Sequence, residues 1–241
     1  MPTERCLIVN ADDFGQSPGV NRGIITAHEH GIVTSASLMV RWPAAAEAAA
    51  LASEYPLLSV GLHVDLGEWR YLDGSWIPAY VVVSIDDRAA VVAQIARQLD
   101  SFHRLVGQAP THLDSHQHVH RDEPVRSVLL EAARELGVPL RHFSPDVEYC
   151  GSFYGQTNRN EPYPFGISVE GLTQLLHSLP LGTTELGCHP GEGADLDSMY
   201  CAERSDEIRV LCDPRIRDTL RTSSIRLQSF HDIRIAVSQL G

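Results

Sequence analysis

Residues 6–40 read CLIVNADDFGQSPGVNRGIITAHEHGIVTSASLMV and contain the repeating unit of the fold. A short apolar run at 6–10 is followed by a helical pattern from Val20 to His30, which Gly31 ends, and then by a second apolar run at 32–40. Short apolar runs that alternate with helical segments are typical of parallel sheets whose crossover connections are helices. The sequence therefore predicts an α/β fold.

The same alternation continues along the chain. Further strands are predicted at 58–66, 184–188 and 225–230, and further helices at 43–53, 88–106, 122–136, 169–179 and 206–220. About seven β-then-α steps without an internal repeat favour a mostly parallel sheet, either closed as a barrel or open and doubly wound. We expect the barrel, in an irregular (β/α) form that makes one domain over residues 1–241.

Two long segments, 67–84 and 144–166, interrupt this pattern and are predicted to be irregular loops. They carry aromatic residues among Pro, Gly and Asn, including Trp69, Trp76 and Tyr154. Loops of this length in a compact domain usually cover a site. We expect these rings either to stack against a ligand or to pack the loops themselves.

The charged residues exclude several classes of function. The formal net charge is −12, which disfavours a protein that binds nucleic acid or anionic lipid through its overall field. All 19 basic residues are arginine, so no lysine is present for a Schiff base, a pyridoxal phosphate enzyme, a Walker A loop or a carboxylated-lysine metal pair. A small neutral or cationic substrate fits this composition better.

The cysteines and the apolar runs bear on location. The five cysteines are widely spaced and form no CxxC pair, which argues against a disulfide framework or a structural zinc site. The apolar stretch at 6–9 is too short for a signal peptide, and no run approaches the roughly 18 residues of a membrane span. We therefore expect a cytoplasmic protein without a membrane span, with a homodimer as one assembly to test.

Asp12 and Asp13 follow the first predicted strand directly. In a β/α barrel this position is the rim at the carboxyl ends of the strands, where catalytic groups gather. Adjacent residues at a strand end point in different directions, so one carboxylate can hold a metal while its neighbour reaches a water molecule beside it. The alternative is that one aspartate caps the following helix and the other is solvated.

The segment THLDSHQHVH at 111–120 places ionisable residues at every second position. The strand period of two puts His112, Asp114 and His116 on one face. Several imidazoles and a carboxylate on a buried face are costly to desolvate unless a divalent cation binds them together. The alternative is a solvated histidine-rich loop. His118 and His120 are expected beyond the strand, as supporting groups or substrate contacts.

Two further predicted strands end in histidine. His63 can meet Asp13 and His116 across the rim and complete a His, His, Asp set with an open coordination position, as in catalytic metal sites. Alternatively, it is a hydrogen-bonded core residue. His189 can act as a general acid or simply stabilise its turn. The adjacent Cys188 points to the opposite face of its strand, so we expect a structural role for it.

Five blocks of this sequence resemble the YdjC-like carbohydrate deacetylase family, which includes chitooligosaccharide deacetylases. They are residues 8–40, VGLHVDL, PTHLDSHQHVH, SFYG and ELGCHPG, and they occur in the family order between about Cys6 and Tyr200. The combination of NADDFG with HLDSHxHVH is highly specific. Residues 69–80 and the C-terminus, where the family is less uniform, lie outside the reach of this resemblance.

The resemblance implies a β/α barrel of the glycoside hydrolase and deacetylase type that removes the N-acetyl group from an amino sugar. It implies one divalent metal ion held by Asp13, His63 and His116, with Asp12 as general base and His189 as general acid. Zinc suits such ligands by affinity, whereas magnesium would ask for more oxygen ligands, and manganese and cobalt are further candidates. Trp69, Tyr154, His118 and His120 are the residues expected to contact the sugar.

Two other functions stay open at this point. One is a different metal hydrolase, an amidohydrolase or a phosphoesterase, although such barrels commonly place an HxH pair after the first strand, where this chain has Asp12 and Asp13. The other is a histidine-rich protein that binds metal without catalysis. Release of acetate, release of phosphate, or neither would separate the three.

Overall fold

A parallel sheet of seven strands lies at the centre of the protein, which is described here by a computed structural model of residues 2–233. The nine strands of this part of the chain include two that form a separate hairpin. Their bounds are β1 Arg5–Phe14, β2 Ser35–Leu38, β3 Ser59–Val64, β4 Gly67–Leu72, β5 Ser75–Val81, β6 Leu113–Ser115, β7 Val147–Cys150, β8 Gly182–Cys188 and β9 Ile225–Gln228.

The sheet is an incomplete barrel. The strand order is β6, β3, β2, β1, β8, β7, and β9 pairs with the beginning of β1. All of these pairs are parallel. Within residues 2–233 no ladder joins the outermost strands β6 and β7, and only an isolated bridge between Leu113 and Leu140 continues the sheet beyond β6. The expected irregular (β/α) barrel is confirmed.

Seven α-helices pack around the sheet, with the bounds α1 Pro18–Glu29, α2 Ala45–Glu54, α3 Arg88–Val106, α4 Val125–Leu136, α5 Val169–Ser178, α6 Ala202–Leu211 and α7 Pro214–Thr222 in the described part of the chain. Helix α3 has the predicted bounds because Asp87 caps its first turn and Gly107, at φ 77°, ends it in the left-handed conformation. Fully buried Leu7 and Val9 of β1 and Ile24 of α1 show that the core lies between the sheet and the helices.

The helix predicted at 206–220 is wrong, because two helices occupy this region. Helix α6 ends at Leu211, and Pro214 begins α7. Proline lacks a backbone N–H and favours the first turn of a helix, and the Asp213 side chain accepts a hydrogen bond from Arg215 N at 2.9 Å. The Asp213-Pro214 pair is therefore the sequence signal that the two helices are separate.

The predicted loops at 67–84 and 144–166 also contain regular structure. Strands β4 and β5 form an antiparallel hairpin, and its turn is Asp73-Gly74, with φ of 49° and 84°. An Asp-Gly pair suits a two-residue hairpin turn because both residues tolerate positive φ. In the second segment, β7 adds the outermost strand of the sheet, and a short 3-10 helix spans Pro164–Ile167.

Two strands end differently from the prediction at the points that matter for function. Strand β1 continues through Asp12 and Asp13, but its pairing with β2 is irregular between Ala11 and Phe14, and Asp13 has φ of 66°. Strand β6 stops at Ser115, so His116 lies in a 3-10 helix, His116–Arg121, instead of sharing a strand face with His112 and Asp114. The chain turns sharply after Ser115, and this turn changes the direction of the His116 ring.

Candidate metal and catalytic site

The predicted functional residues meet at the carboxyl ends of neighbouring parallel strands. Asp12 and Asp13 come from β1, His63 from β3, and His116 and His189 from the segments that follow β6 and β8. Parallel strands bring their carboxyl ends to the same rim, where the side chains of separate segments converge. These five residues line one cavity of about 560 Å³.

Asp13, His63 and His116 form a compact set of potential metal ligands. Asp13 Oδ1 lies 3.4 Å from His63 Nε2 and 3.1 Å from His116 Nδ1. One ligand atom of each residue lies within 4.8 Å of the other two. Metal bonds of about 2.0–2.2 Å hold tetrahedral donor atoms on the order of 3.3 Å apart. The spacing and the mixed imidazole and carboxylate chemistry therefore fit a divalent ion.

His63 is oriented by a buried carboxylate behind it. Its Nδ1 lies 2.7 Å from Asp114 Oδ1, and the Ser37 hydroxyl donates to Asp114 Oδ2 at 2.6 Å. A carboxylate on the far nitrogen fixes the tautomer of a ligating histidine and leaves its Nε2 lone pair free, here directed toward Asp13. The same Asp114 carboxylate is held by Arg141 at 2.7 Å, so Asp114 itself is already fully engaged.

The site stabilises positive charge. Burial opposes protonation of His63, but Asp114 and Asp12 outweigh it and raise its pKa to about 10. Burial opposes protonation of His116 as well, but its hydrogen bond to Asp13 and the nearby carboxylate of Glu68 raise its pKa to about 9. In the metal-free protein, the protons on these two imidazoles thus supply the positive charge that a bound cation would supply. Metal binding must displace them.

The other oxygen of Asp13 is occupied by a buried cation. Arg204, only 2% exposed, donates from Nη2 to Asp13 Oδ2 at 2.6 Å. Burial alone would raise the pKa of Asp13, but Arg204 and the two imidazoles hold it well below its usual range. Asp13 is therefore ionised, with Oδ1 left to face the histidines.

Asp12 has a different environment from its neighbour. Both of its oxygens accept hydrogen bonds from Arg141 at 2.7 Å in a bidentate pair, and Asn10 Nδ2 donates to Oδ1 at 2.9 Å. Burial opposes ionisation, but Arg141 outweighs it and lowers the pKa of Asp12 below its ordinary value. The guanidinium thereby holds Asp12 as an ionised carboxylate of fixed orientation.

His189 lies beside Asp12, with its Nε2 atom 3.8 Å from Asp12 Oδ2. Its backbone N–H donates to Glu207 of α6, and its ring meets the edges of Tyr154 and Tyr200, with centroids 5.4 and 5.5 Å away. Burial lowers the pKa of His189 to about 4, so the ring of the free protein is neutral at pH 7. The imidazole therefore lies near Asp12 but beyond hydrogen-bond distance from it.

Several aromatic residues line the cavity. Trp69, Tyr154 and His118, three of the residues expected to contact a sugar, line it together with Trp76. The fourth, His120, is fully buried with its Nδ1 atom bonded to Ser115 Oγ at 2.6 Å, and it is not part of the cavity wall. The hairpin of β4 and β5 forms one side of the cavity and is tied to the opposite side by Arg70, which hydrogen-bonds to Asp197.

Several residues of the site carry no clear sequence signal. Arg141, Arg204 and Glu207 reach the rim from outside the motifs that identify the ligands. Glu68 is buried in the hairpin, 3.8 Å from His116 Nε2. The one sequence feature that could indicate a role for Glu68 is its position shortly after the VGLHVDL block. Cys188 is fully buried and donates to Asn10 O, and burial raises the pKa of its thiol, in keeping with a structural role.

Comparisons with known proteins find similar sequences that match nearly the whole chain. Residues 6–222 match the model of the YdjC-like protein family. A carbohydrate deacetylase of Geobacillus stearothermophilus is 34% identical, over 95% of this chain and 98% of the relative. A chitooligosaccharide deacetylase of Serratia marcescens is 31% identical, over 95% of this chain and the full length of the relative. No helix within residues 2–233 has the length and apolar character needed to cross a bilayer.

Solved structures share the fold. A protein of Enterococcus faecalis V583, described as a candidate cellobiose-phosphate cleavage protein, superposes with a TM-score of 0.77 at 26% identity, over 96% of this chain and all of that one. A family 4 carbohydrate esterase of Streptomyces lividans superposes with a TM-score of 0.56 at 14% identity, over 98% of both chains. The latter likeness concerns the barrel alone. By sequence, fold and the arrangement of its rim residues, this chain belongs to the YdjC-like protein family.

Proposed function

We propose that this protein is a metal-dependent carbohydrate deacetylase, which hydrolyses the N-acetyl group of an amino sugar and releases acetate. The observation that carries the proposal is the position of the Asp13, His63 and His116 set beside the Asp12 and His189 pair at one end of an aromatic cavity. The names of the relatives, carbohydrate deacetylase and chitooligosaccharide deacetylase, support the same reaction and substrate class.

The metal would be held by Asp13, His63 and His116, which leave at least one coordination position open. When bound, it would supply Lewis-acid polarisation of the acetyl carbonyl and of the attacking water. Zinc and cobalt suit the two imidazoles, while manganese and magnesium suit the carboxylate. A cobalt ion accompanies a family 4 acetyl xylan esterase of Clostridium thermocellum that has the same fold.

The protein's own groups would move one proton. Asp12, held ionised by Arg141, accepts a proton from the attacking water. His189, neutral before the reaction, would take that proton from Asp12 once their 3.8 Å separation closes to hydrogen-bond distance, and would deliver it to the amide nitrogen as the C–N bond breaks. The oxygen of water and its second proton end in acetic acid, which ionises to acetate, and the transferred proton leaves on the free amino sugar.

The aromatic wall would hold the sugar. Trp69, Trp76 and Tyr154 present ring faces or edges to the cavity, and the apolar faces of pyranose rings pack well against such surfaces. The cavity is large enough for more than one sugar ring, since its volume falls in the range of sites that bury drug-sized molecules. A short chito-oligosaccharide is therefore the first substrate to test.

The deciding experiment is a screen for acetate release. Metal-stripped protein is reloaded with zinc, magnesium, manganese or cobalt and incubated with N-acetylglucosamine oligomers of increasing length. Acetate and one free amine per event are expected with at least one metal. Cellobiose phosphate serves as the comparison substrate because of the similar structure from E. faecalis. Phosphate release, or metal binding without turnover of any N-acetyl sugar, would overturn the proposal.

A further inference from the structure

A second histidine cluster adjoins the candidate catalytic cavity, whose wall includes one of its members. It consists of His118 and His120, from the 3-10 helix after β6, and His142, which follows the Arg141 that holds Asp12. One ring nitrogen of each residue lies within 4.8 Å of the other two. Neither the proposed reaction nor the ligand set at Asp13 uses these three rings together.

The rings have the separation that a shared ion requires. Their centroids lie 5.9 Å apart for His118 and His120, 5.2 Å for His118 and His142, and 5.5 Å for His120 and His142. Three imidazoles that bind one tetrahedral ion through bonds of about 2.0–2.1 Å have centroids on the order of 5 Å apart. The observed ring separations are therefore close to those of a shared metal site.

The buried ring nitrogens of the cluster support the same conclusion. His120 is fully buried, and its Nε2 atom has no hydrogen-bond partner among the described residues. Its other nitrogen, Nδ1, lies 2.6 Å from Ser115 Oγ. An unpaired buried polar atom is costly, and a histidine whose far nitrogen is anchored by a neighbour is typical of metal ligands.

His118 repeats this arrangement. Its Nδ1 atom is buried and unpaired within residues 2–233, while its Nε2 atom lies 3.4 Å from the Tyr149 hydroxyl. The third member, His142, is exposed to solvent and gives an ion a route to the cluster.

The backbone is bent in a way that brings these rings together. His118 and His142 have φ of 55° and 69°, and Gln117 has φ of 51°. Residues other than glycine seldom adopt the left-handed region, and such strain concentrates at ligand sites. These turns lie in the two segments that carry the three rings.

From this geometry we infer that His118, His120 and His142 form a second metal site, which takes a late first-row dication such as zinc and is distinct from the catalytic centre. Three imidazoles and no carboxylate favour zinc, cobalt, nickel or copper over magnesium and calcium, which require oxygen ligands. An ion here would link the segment that carries His116 to the segment that carries Arg141. Its role would be to brace the rim, and the inference does not depend on the proposed reaction.

The test counts ions in tag-free protein that has been stripped with a chelator and dialysed against zinc. Wild type should hold two equivalents of zinc. His142→Ala should hold one because it loses the second site, and Asp13→Asn should hold one because it loses the candidate catalytic site. The matched control is His177→Ala, which removes an exposed histidine of α5 and should still hold two equivalents of zinc. Excess magnesium should not displace the zinc held in Asp13→Asn.

Thermal unfolding gives a second readout that does not require activity. In the Asp13→Asn background, zinc at about 100 times its Kd should raise Tm by roughly 5–10 °C. Adding His142→Ala, or His142→Gln, should abolish this gain. The inference is overturned if wild type and His142→Ala hold the same amount of zinc. Equal zinc-induced gains in Tm with and without the His142 substitution would overturn it as well.

Discussion

Two adjacent aspartates have different environments because their side chains meet different partners. Asp12 lies in a bidentate pair with Arg141, whereas Asp13 faces His63 and His116 with one oxygen and Arg204 with the other. In a regular strand two adjacent carboxylates would point to opposite faces. The positive φ of Asp13 and the irregular pairing of β1 at this point accompany an arrangement in which both line the same cavity.

The first prediction separates these two roles. Asp12→Asn keeps the side-chain shape but cannot accept a proton, so turnover should fall by about a hundredfold or more while metal content is unchanged. Asp13→Asn removes a charged ligand and should weaken metal binding. Metal content by atomic emission and acetate release are measured on both variants. The opposite pattern would show that the two roles are exchanged.

A second prediction concerns His189, which we propose as the proton donor to the leaving amine. His189→Ala should slow hydrolysis of an N-acetyl amino sugar far more than hydrolysis of an activated aryl acetate, because a phenolate leaves without a proton. Loss of metal would affect both substrates, so metal content is checked first. Equal losses on the two substrates with metal intact would mean that His189 orients the substrate instead of protonating the amine.

The sequence predicts the ligands of this site better than their partners. Asp13, His63 and His116 stand at or just beyond the ends of apolar strands, and the convergence of parallel strand ends places them together. Arg141 and Arg204 come from segments with no regular relation to those strands, so nothing in their spacing indicates that each would hold one of the two aspartates. Buried ion pairs of this kind become visible only with the tertiary structure.

At the scale of elements, the predictions fail where local signals conflict with the expected pattern. Helix α3 is predicted correctly because a cap and a terminal glycine frame a long amphipathic run. The hairpin of β4 and β5 is missed because its aromatic and proline residues suggest an irregular loop, although Asp73-Gly74 is a strong turn signal. This hairpin matters because it supplies Trp69 and Trp76 to the cavity.

The hairpin leads to a prediction about substrate binding. Trp76 lines the cavity while 53% of its surface is exposed, so it can cover a sugar ring far from the reacting bond. Loss of one such ring contact, worth about 0.5–1.5 kcal/mol, should raise KM for an oligosaccharide roughly two- to tenfold in Trp76→Ala. We expect kcat to change little, because this contact is equal in the ground and transition states.

The matched control for Trp76→Ala is Leu72→Ala. Leu72 is exposed on the same hairpin but does not line the cavity. Steady-state kinetics on the monosaccharide and on longer oligomers should show an effect that grows with chain length for Trp76→Ala alone. Equal kinetics for the two variants would place Trp76 outside the substrate site.

At the scale of the whole molecule, buried ionisable groups join the parts of the barrel. Arg141 contacts Asp12 of β1, Asp114 of β6 and Glu185 of β8. Glu207 joins α6 to the end of β8, because it accepts hydrogen bonds from His189 N and from the Tyr200 hydroxyl. Such groups make the stability of the fold depend on pH whenever their pKa differs between the folded and unfolded states.

Glu207 provides a test of this dependence. Burial raises its pKa from 4.5 to about 8 despite its two hydrogen bonds. Between these values the folded protein holds a proton that the unfolded chain has lost, so the free energy of unfolding should fall as pH rises from about 4.5 to about 8.

The Glu207→Gln variant has no carboxyl proton to lose at this position. Relative to wild type, its stability should therefore increase by up to a few kcal/mol between pH 5 and pH 8. Urea unfolding of metal-free protein at pH 5, 6.5 and 8 measures the difference, with exposed Glu131→Gln as the control for loss of a carboxylate. A stability difference that stays constant across this range would show that Glu207 is ionised throughout and that its two hydrogen bonds outweigh its burial.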